Sequence, residues 1–226
     1  MEDLPTRKPR AVTEELRQSV YKDLSPEIEQ IRNADLRRKV VDAWCYSLVR
    51  SSFKRLSEVP PWGAAGIFFL KQGSQANHLR GVARFAMKMT DDFLENYPEA
   101  IVDRDIVVAG ALCHDLGKPY EFDPLNQQRW KADPSNCGDP TFRHSVYGVH
   151  LALSAGLPEK VAHICIGHSV EGQHFKLSTE CTIVRHADHV WWRVAIALGL
   201  LERDSIGHAG PLATVRKTRM ELEAAD

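Results

Sequence analysis

An all-α helical bundle is the fold class this chain predicts, with a metal site in the bundle core and extra helices at the N-terminus. Apolar residues recur at helical spacing in one segment after another, between capping residues and prolines. No pair of segments shows the period-two alternation of half-buried strands. Six metal-ligating side chains, His78, His114, Asp115, His144, His168 and Asp188, are separated by 36 residues (78 to 114), 29 (115 to 144), 24 (144 to 168) and 20 (168 to 188). Each gap suits one helix and one connection. Ligands from separate helices then converge inside a bundle.

Residues 1–12 are polar, contain two prolines, and read as disordered. Ser25 followed by Pro26 is a cap and first-turn proline that opens a short helix to about Arg32. Asp35 caps a longer one through 59, with Leu36, Val40, Trp44, Leu48 and Phe53 at approximate helical spacing, until Pro60 and Pro61 stop it. Residues 74–97 place His78, Val82, Phe85, Ala86, Met89 and Phe93 along one face. Asp103 or Asp105 caps the next helix. Its nearly all-apolar run 106–113 predicts a central, buried element that ends at His114-Asp115, with Gly117 as the stop.

Residues 119–140 break the pattern with prolines, asparagines and Gly138, and read as a long loop at the active site, a wall or a lid. Thr141 caps a helix over 142–155, which Gly156 ends. Pro158 opens another through His168. Ser178 or Thr179 caps a last long helix on which Cys181, Val184, Asp188 and Trp191 align. This divides the chain into an N-terminal helical extension (1–60), a main domain (61–202) and a C-terminal tail (203–226). The extension packs on the bundle or forms a contact between copies of the chain.

At 226 residues the chain is long enough to bury a sizeable core without staples. Its formal net charge of -1, with no block of like charge, argues against a dedicated nucleic-acid or membrane surface. No apolar run has transmembrane length. The cysteines (Cys45, Cys113, Cys137, Cys165, Cys181) form no CxxC pair, and five is an odd number, which fits a reducing cytoplasm better than a disulfide framework.

The ordered ligand set resembles the HD-domain superfamily of metal-dependent phosphohydrolases. The resemblance is strongest at Ala111-Leu-Cys-His-Asp-Leu-Gly-Lys-Pro119, which is similar to that family's HDxGK core. It continues in Asn77-His-Leu-Arg-Gly-Val-Ala83, Arg143-His-Ser-Val-Tyr-Gly148, Ile166-Gly-His-Ser169 and Arg185-His-Ala-Asp-His189. It implies an HD-domain bundle with His78, His114 and Asp188 on one metal, His144 and His168 on the other, and Asp115 bridging. The expected cofactors are two divalent ions, drawn from Fe, Mn, Zn, Co, Ni or Mg. Two such ions activate a shared water and take up charge on a phosphoryl group. The expected substrate is a phosphomono- or phosphodiester of a small molecule or nucleotide.

Asp115 is the expected bridge and Lys118 an added positive charge beside the electrophile. Arg143, Arg80 and Lys176 are the candidates for contacting substrate phosphate. Glu171 and Glu121 are the nearest carboxylates for acid catalysis. Trp130 and Tyr120 are candidates to cover a substrate, and Trp191-Trp192 divide between the core and the pocket. His150, His163, His186 and His189 are rotated off the ligand faces and are set aside.

The resemblance leaves two alternatives. Some HD-type proteins are mixed-valent diiron oxygenases, such as myo-inositol oxygenase, and His-rich ligation suits iron equally. Others are relaxases or exoribonucleases acting on nucleic acid, though this chain shows no basic stripe. A cyclic-di-GMP phosphodiesterase of the HD-GYP type is not supported, because Ile166-Gly-His-Ser-Val-Glu-Gly172 stands where that pattern would fall.

Overall fold

The computed structural model describes residues 7–63 and 69–202, and within them the chain is helical apart from isolated bridges at Trp62–Phe69 and Leu70–Leu201. The C-terminal tail expected over 203–226 and the start of the chain, 1–6, lie outside the described residues. Residues 7–12, read as disordered, are tied down. Arg7 pairs with Asp123, and Arg10 donates to the Leu48 and Phe53 carbonyls.

Helix α1 (Glu14–Leu24) has no counterpart in the sequence reading. Thr13 caps it, and Glu14 and Glu15 sit in its first turn, where the helix dipole favours them. Only Val20 and Leu24 are buried on it, too thin a stripe to register as periodicity. Pro26 follows, but the next element is a single 3-10 turn, Glu27–Gln30. Helix α2 (Ala34–Val49) takes Asn33 as its cap and stops ten residues before the predicted end. Ser51 ends it: both its N–H and its hydroxyl return to the Leu48 carbonyl, offering the backbone an alternative to another helical turn.

Helices α3 (Gln75–Asn96) and α4 (Arg104–Cys113) match the predicted spans. Asp103 caps α4, and every residue from Ile106 to Cys113 is buried. On α3 the buried stripe runs through His78, Val82 and Ala86, while Phe85 and Phe93 turn outward.

The predicted loop over 119–140 is instead three short helices: α5 (Lys118–Glu121), α6 (Pro124–Ala132) and α7 (Pro134–Cys137). Three of its four prolines start helices. Pro119, Pro124 and Pro134 each fall in a first turn, where a missing N–H costs nothing, and Asp123 and Asp133 cap α6 and α7, while Pro140 lies in the turn before α8.

Helix α8 (His144–Ser154) begins two residues later than expected, because the Thr141 hydroxyl is spent on the Cys137 carbonyl. Gly156, at φ +72, reverses the chain after it. Helix α9 (Glu159–Gly167) follows Pro158. After a 3-10 turn at Val170–His174, Ser178 caps α10 (Thr179–Ala197).

Helices α3, α4, α9 and α10 pack around one another, α8 lies against α9, and α2 supports α4 from outside. One buried apolar cluster runs from Val20 to Ala187 and includes Trp44, Leu48, Leu79, Leu112, Ile164 and Val184. At the C-terminal end of α4 the carbonyls have no helical partner. Helix α2 meets this end and the turn beyond it: the Trp44 indole donates to Leu112 O at 2.8 Å and the Ser47 hydroxyl to Leu116 O at 2.6 Å. The turn that carries His114 and Asp115 is held from behind in this way. No helix among the described residues is long and apolar enough to cross a membrane, and all five cysteines are free thiols.

Gly117 lets α8 approach this turn. A Cβ there would lie 2.1 Å from the His144 carbonyl oxygen, whereas a Cβ on Gly148 would make its nearest contact at 3.4 Å. Gly117→Ala is expected to cost about 1–3 kcal/mol through overpacking. Gly148→Ala, inside a helix, is expected to stay within about 1 kcal/mol of the parent. Urea unfolding of both variants checks the contrast; equal losses would remove the close approach as the reason for Gly117.

Candidate metal centre

The six predicted ligands meet in the middle of the bundle. His78 comes from the first turns of α3, His114 and Asp115 from the end of α4, His144 from the first residue of α8, His168 from the end of α9, and Asp188 from the middle of α10. All six are at least nine-tenths buried.

Asp115 stands between two groups. Its Oδ2 lies 3.4 Å from His78 Nε2 and 3.2 Å from His114 Nε2. Its Oδ1 lies 3.4 Å from His144 Nε2 and 3.5 Å from His168 Nε2. Within the first group, His78 Nε2 and His114 Nε2 are 3.2 Å apart, and Asp188 Oδ1 is 3.2 Å from His78 Nε2. Within the second, the Nε2 atoms of His144 and His168 are 3.3 Å apart.

The donors fit divalent ions. All four imidazoles turn Nε2 inward. Three of them face an acceptor with Nδ1: His114 at Ala111 O (2.8 Å), His168 at Cys165 O (2.8 Å), and His144 at Glu121 Oε2 (2.5 Å). That places the proton on Nδ1 and leaves the inner nitrogen as a lone pair, the form a metal requires. Asp188 Oδ1 is buried with no hydrogen-bond partner, an atom that a cation would satisfy. His78, His114 and Asp188 together satisfy the spacing of a metal cluster, and so do His114, Asp115 and His168.

The electrostatics agree. Without a metal, burial by itself would raise the Asp115 carboxyl, but Lys118 and the surrounding histidines, when protonated on Nε2, overcome it and hold the group well below the usual carboxylate range, a role that bound cations would take over. Asp188 behaves likewise: burial opposes ionisation, and His78 and His114 win. Gln75 Nε2 donates to Asp115 Oδ2 at 2.6 Å, and Lys118 Nζ lies 3.2 Å from the same oxygen while also donating to the Trp62 carbonyl.

One side of the centre opens into a pocket of about 320 Å³. Beyond the ligands its walls include Lys118, Arg143, Ser169, His189, Trp192 and Arg193. The Arg143 guanidinium is held there by Ser169 Oγ at 3.3 Å and Glu171 at 3.4 Å.

The other predicted contacts are elsewhere. Arg80 lies two residues past His78, so it points off the opposite side of α3, where it and Arg84 pair with buried Glu27. Lys176 lines a separate groove with Glu159, Lys160 and His163. Trp130 is fully buried, and Tyr120 stacks on Tyr147 at 3.9 Å, so neither covers the pocket. Glu121 faces away from the pocket, onto His144. Trp191 packs its edge on His78 while Trp192 lines the pocket, the division expected of helical neighbours. His150 and His186 are exposed, and His163 accepts from the Ser178 N–H.

Sequence reasoning missed Gln75, His189 and Arg193. Gln75 carried a signal, since it lies three residues before His78 and so shares its face. His189 had been set aside as one step off the Asp188 face, but the pocket opens on that side.

A helical bundle that converges imidazoles and carboxylates from five helices on one buried centre defines an α-helical metalloprotein. The HD-domain family model matches residues 76–191, and the chain belongs to that family. It is also similar to the dihydroneopterin 2′,3′-cyclic phosphate phosphodiesterase of Methanocaldococcus jannaschii, with 32% identity over 177 residues, covering 71% of this chain and 64% of the relative. No solved structure matches.

Arg80 belongs to the scaffold, through its pairing with Glu27. Burial opposes ionisation of Glu27, but its bonds to Arg80 and Arg84 prevail and hold its pKa below the ordinary value. The ion pair therefore adds stability at neutral pH, which is lost as the pH falls through the folded-state pKa of Glu27. Arg80→Ala is expected to lose about 1–3 kcal/mol of stability at neutral pH. The deficit should shrink in acid, and metal content should be unchanged. Urea unfolding against pH, with elemental analysis, tests this; loss of metal would return Arg80 to the site.

Proposed function

We propose that this protein is a metal-dependent phosphohydrolase that opens a small-molecule phosphodiester at a dinuclear centre. The observation that carries the reading is Asp115: each of its oxygens faces a different pair of inward imidazoles. His78, His114 and Asp188 would hold one ion, His144 and His168 the other, and Asp115 both. When bound, the ions supply positive charge to the phosphoryl oxygens and a water activated near neutral pH.

The chain's own residues do the rest. An ammonium has three donors. Lys118 gives one to Asp115 and one to the Trp62 carbonyl, which leaves one for a phosphoryl oxygen at the pocket wall. Arg143, braced by Ser169 and Glu171, offers a planar fork suited to phosphate. Arg193 adds to the cationic wall, His189 offers an imidazole that burial holds in its neutral form, and Trp192 supplies an apolar face. In the reaction water provides the hydroxyl that bonds to phosphorus. One P–O ester bond breaks, and the proton ends on the departing oxygen. The relative's substrate supports a cyclic phosphodiester as the class, with a phosphomonoester as product.

The protein is expected to take up two equivalents of divalent metal and to hydrolyse bis(p-nitrophenyl) phosphate and a 2′,3′-cyclic nucleotide, with chelator abolishing both activities. Oxygen consumption without ester hydrolysis would point to an iron oxygenase and sink the proposal. Asp115→Ala should lose both metals by elemental analysis; two retained equivalents would rule out the bridge.

With metals replete, Lys118→Met should fall about 100- to 1,000-fold in turnover, the usual cost of removing one preorganised donor. Turnover within about threefold of the parent would reduce Lys118 to a partner of Asp115.

A further inference from the structure

The two halves of the centre are not equally supplied. Among the described residues one half has His78, His114 and Asp188 in addition to Asp115, whereas the other has only His144 and His168. The poorer half has a feature the richer one lacks. Glu121 is fully buried, and its Oε2 accepts from both His144 Nδ1 (2.5 Å) and the His144 backbone N–H (2.9 Å). The other imidazoles have weaker support. His114 and His168 lean on backbone carbonyls of their own helices, and His78 Nδ1 is buried with no partner.

We infer that Glu121 is the positioning residue of the second metal site, setting the orientation and basicity of His144 so that two imidazoles and a shared carboxylate suffice to hold an ion there. The inference rests on the dinuclear reading above. Geometry supports it at three points. His144 is the first residue of α8, where a backbone N–H has no helical partner, and Arg143 before it makes no side-chain cap; the Glu121 carboxylate takes that place. The same oxygen fixes the imidazole ring, so helix start and ligand are set together. Glu121 is itself held, by its N–H on Gly117 O and by Gln127 Nε2 on its own carbonyl.

Glu121 Oε1 is buried and has no hydrogen-bond partner. A neutral imidazole is a weak answer to a buried carboxylate. An imidazole whose inner nitrogen is bound to a cation is a strong one, and the carboxylate in turn makes that nitrogen a better ligand.

The test is a titration of the metal-free full chain with Mn²⁺ or Zn²⁺, by calorimetry or against a chromophoric chelator. Glu121→Gln keeps the shape and one acceptor but removes the charge; Glu121→Ala removes both. One binding step is expected to weaken by about 10- to 100-fold, the usual range for losing such a partner, more in the alanine variant, with the other step unmoved. In an Asp188→Ala background, which cripples the first half, Glu121→Gln should still weaken what remains. In a His144→Ala background it should add nothing. Unchanged affinities in Glu121→Gln, with a lowered melting temperature only in Glu121→Ala, would make Glu121 a helix cap and overturn the inference. A parent that binds a single ion would sink the dinuclear reading instead. Glu121 would then stand only if the glutamine variant weakened that ion.

Discussion

Asp115 is a carboxylate with 2% of its surface exposed, and the rest of the molecule is arranged around keeping it charged. Removing such a group from water costs several kcal/mol unless opposite charge and hydrogen bonds replace the lost hydration. Here the replacement comes from many directions: Gln75 from α3, Lys118 from α5, and the cations that four imidazoles from α3, α4, α8 and α9 would hold against it. No single helix could supply it. The bundle must therefore close before the carboxylate is compensated, which ties the site to the fold as a whole. Divalent cations complete the balance in the proposed working state, since Asp115 and Asp188 together carry more negative charge than one lysine answers.

The turn bearing Asp115 receives support out of proportion to its length. Trp44 and Ser47 hold its carbonyls from the side of α2, and Gly117 lets the backbone of α8 reach it. The N-terminal helices consequently act on the centre, although they contribute no ligand. Their apolar residues join the same core as those of α4 and α9.

The convergence of the six candidate ligands was legible in the sequence because metal binding demands particular side chains, and the buried α4 between capped ends fixes where the central pair must lie. Arg80 and Lys176 were misjudged because nearness in sequence to a ligand says nothing about direction on a helix: two residues past His78 is the far side of α3. The segment over 119–140 was misjudged for a different reason. Proline is equally at home ending a helix and starting one, and only the aspartates before Pro124 and Pro134 separate the cases. Helix α1 left almost no apolar trace, and α2 was shortened by Ser51, whose competition for the Leu48 carbonyl is a local effect that periodicity ignores.

The short helix α5 shows what the misread segment is for. It spans only Lys118–Glu121, far below the length at which a helix is stable alone, so packing and its neighbours must hold it. Its two charged residues, three apart, diverge onto different partners. Lys118 reaches the Asp115 oxygen that faces His78 and His114, and Glu121 reaches His144 in the other half. A cation is delivered to the better supplied half and an anion to the poorer one. A flexible loop would spend conformational entropy to hold either charge in place. A single helical turn, closed by its own hydrogen bonds and by Gln127, holds both at once, and so the chain between the second and third ligand segments is helical where its composition suggested a lid.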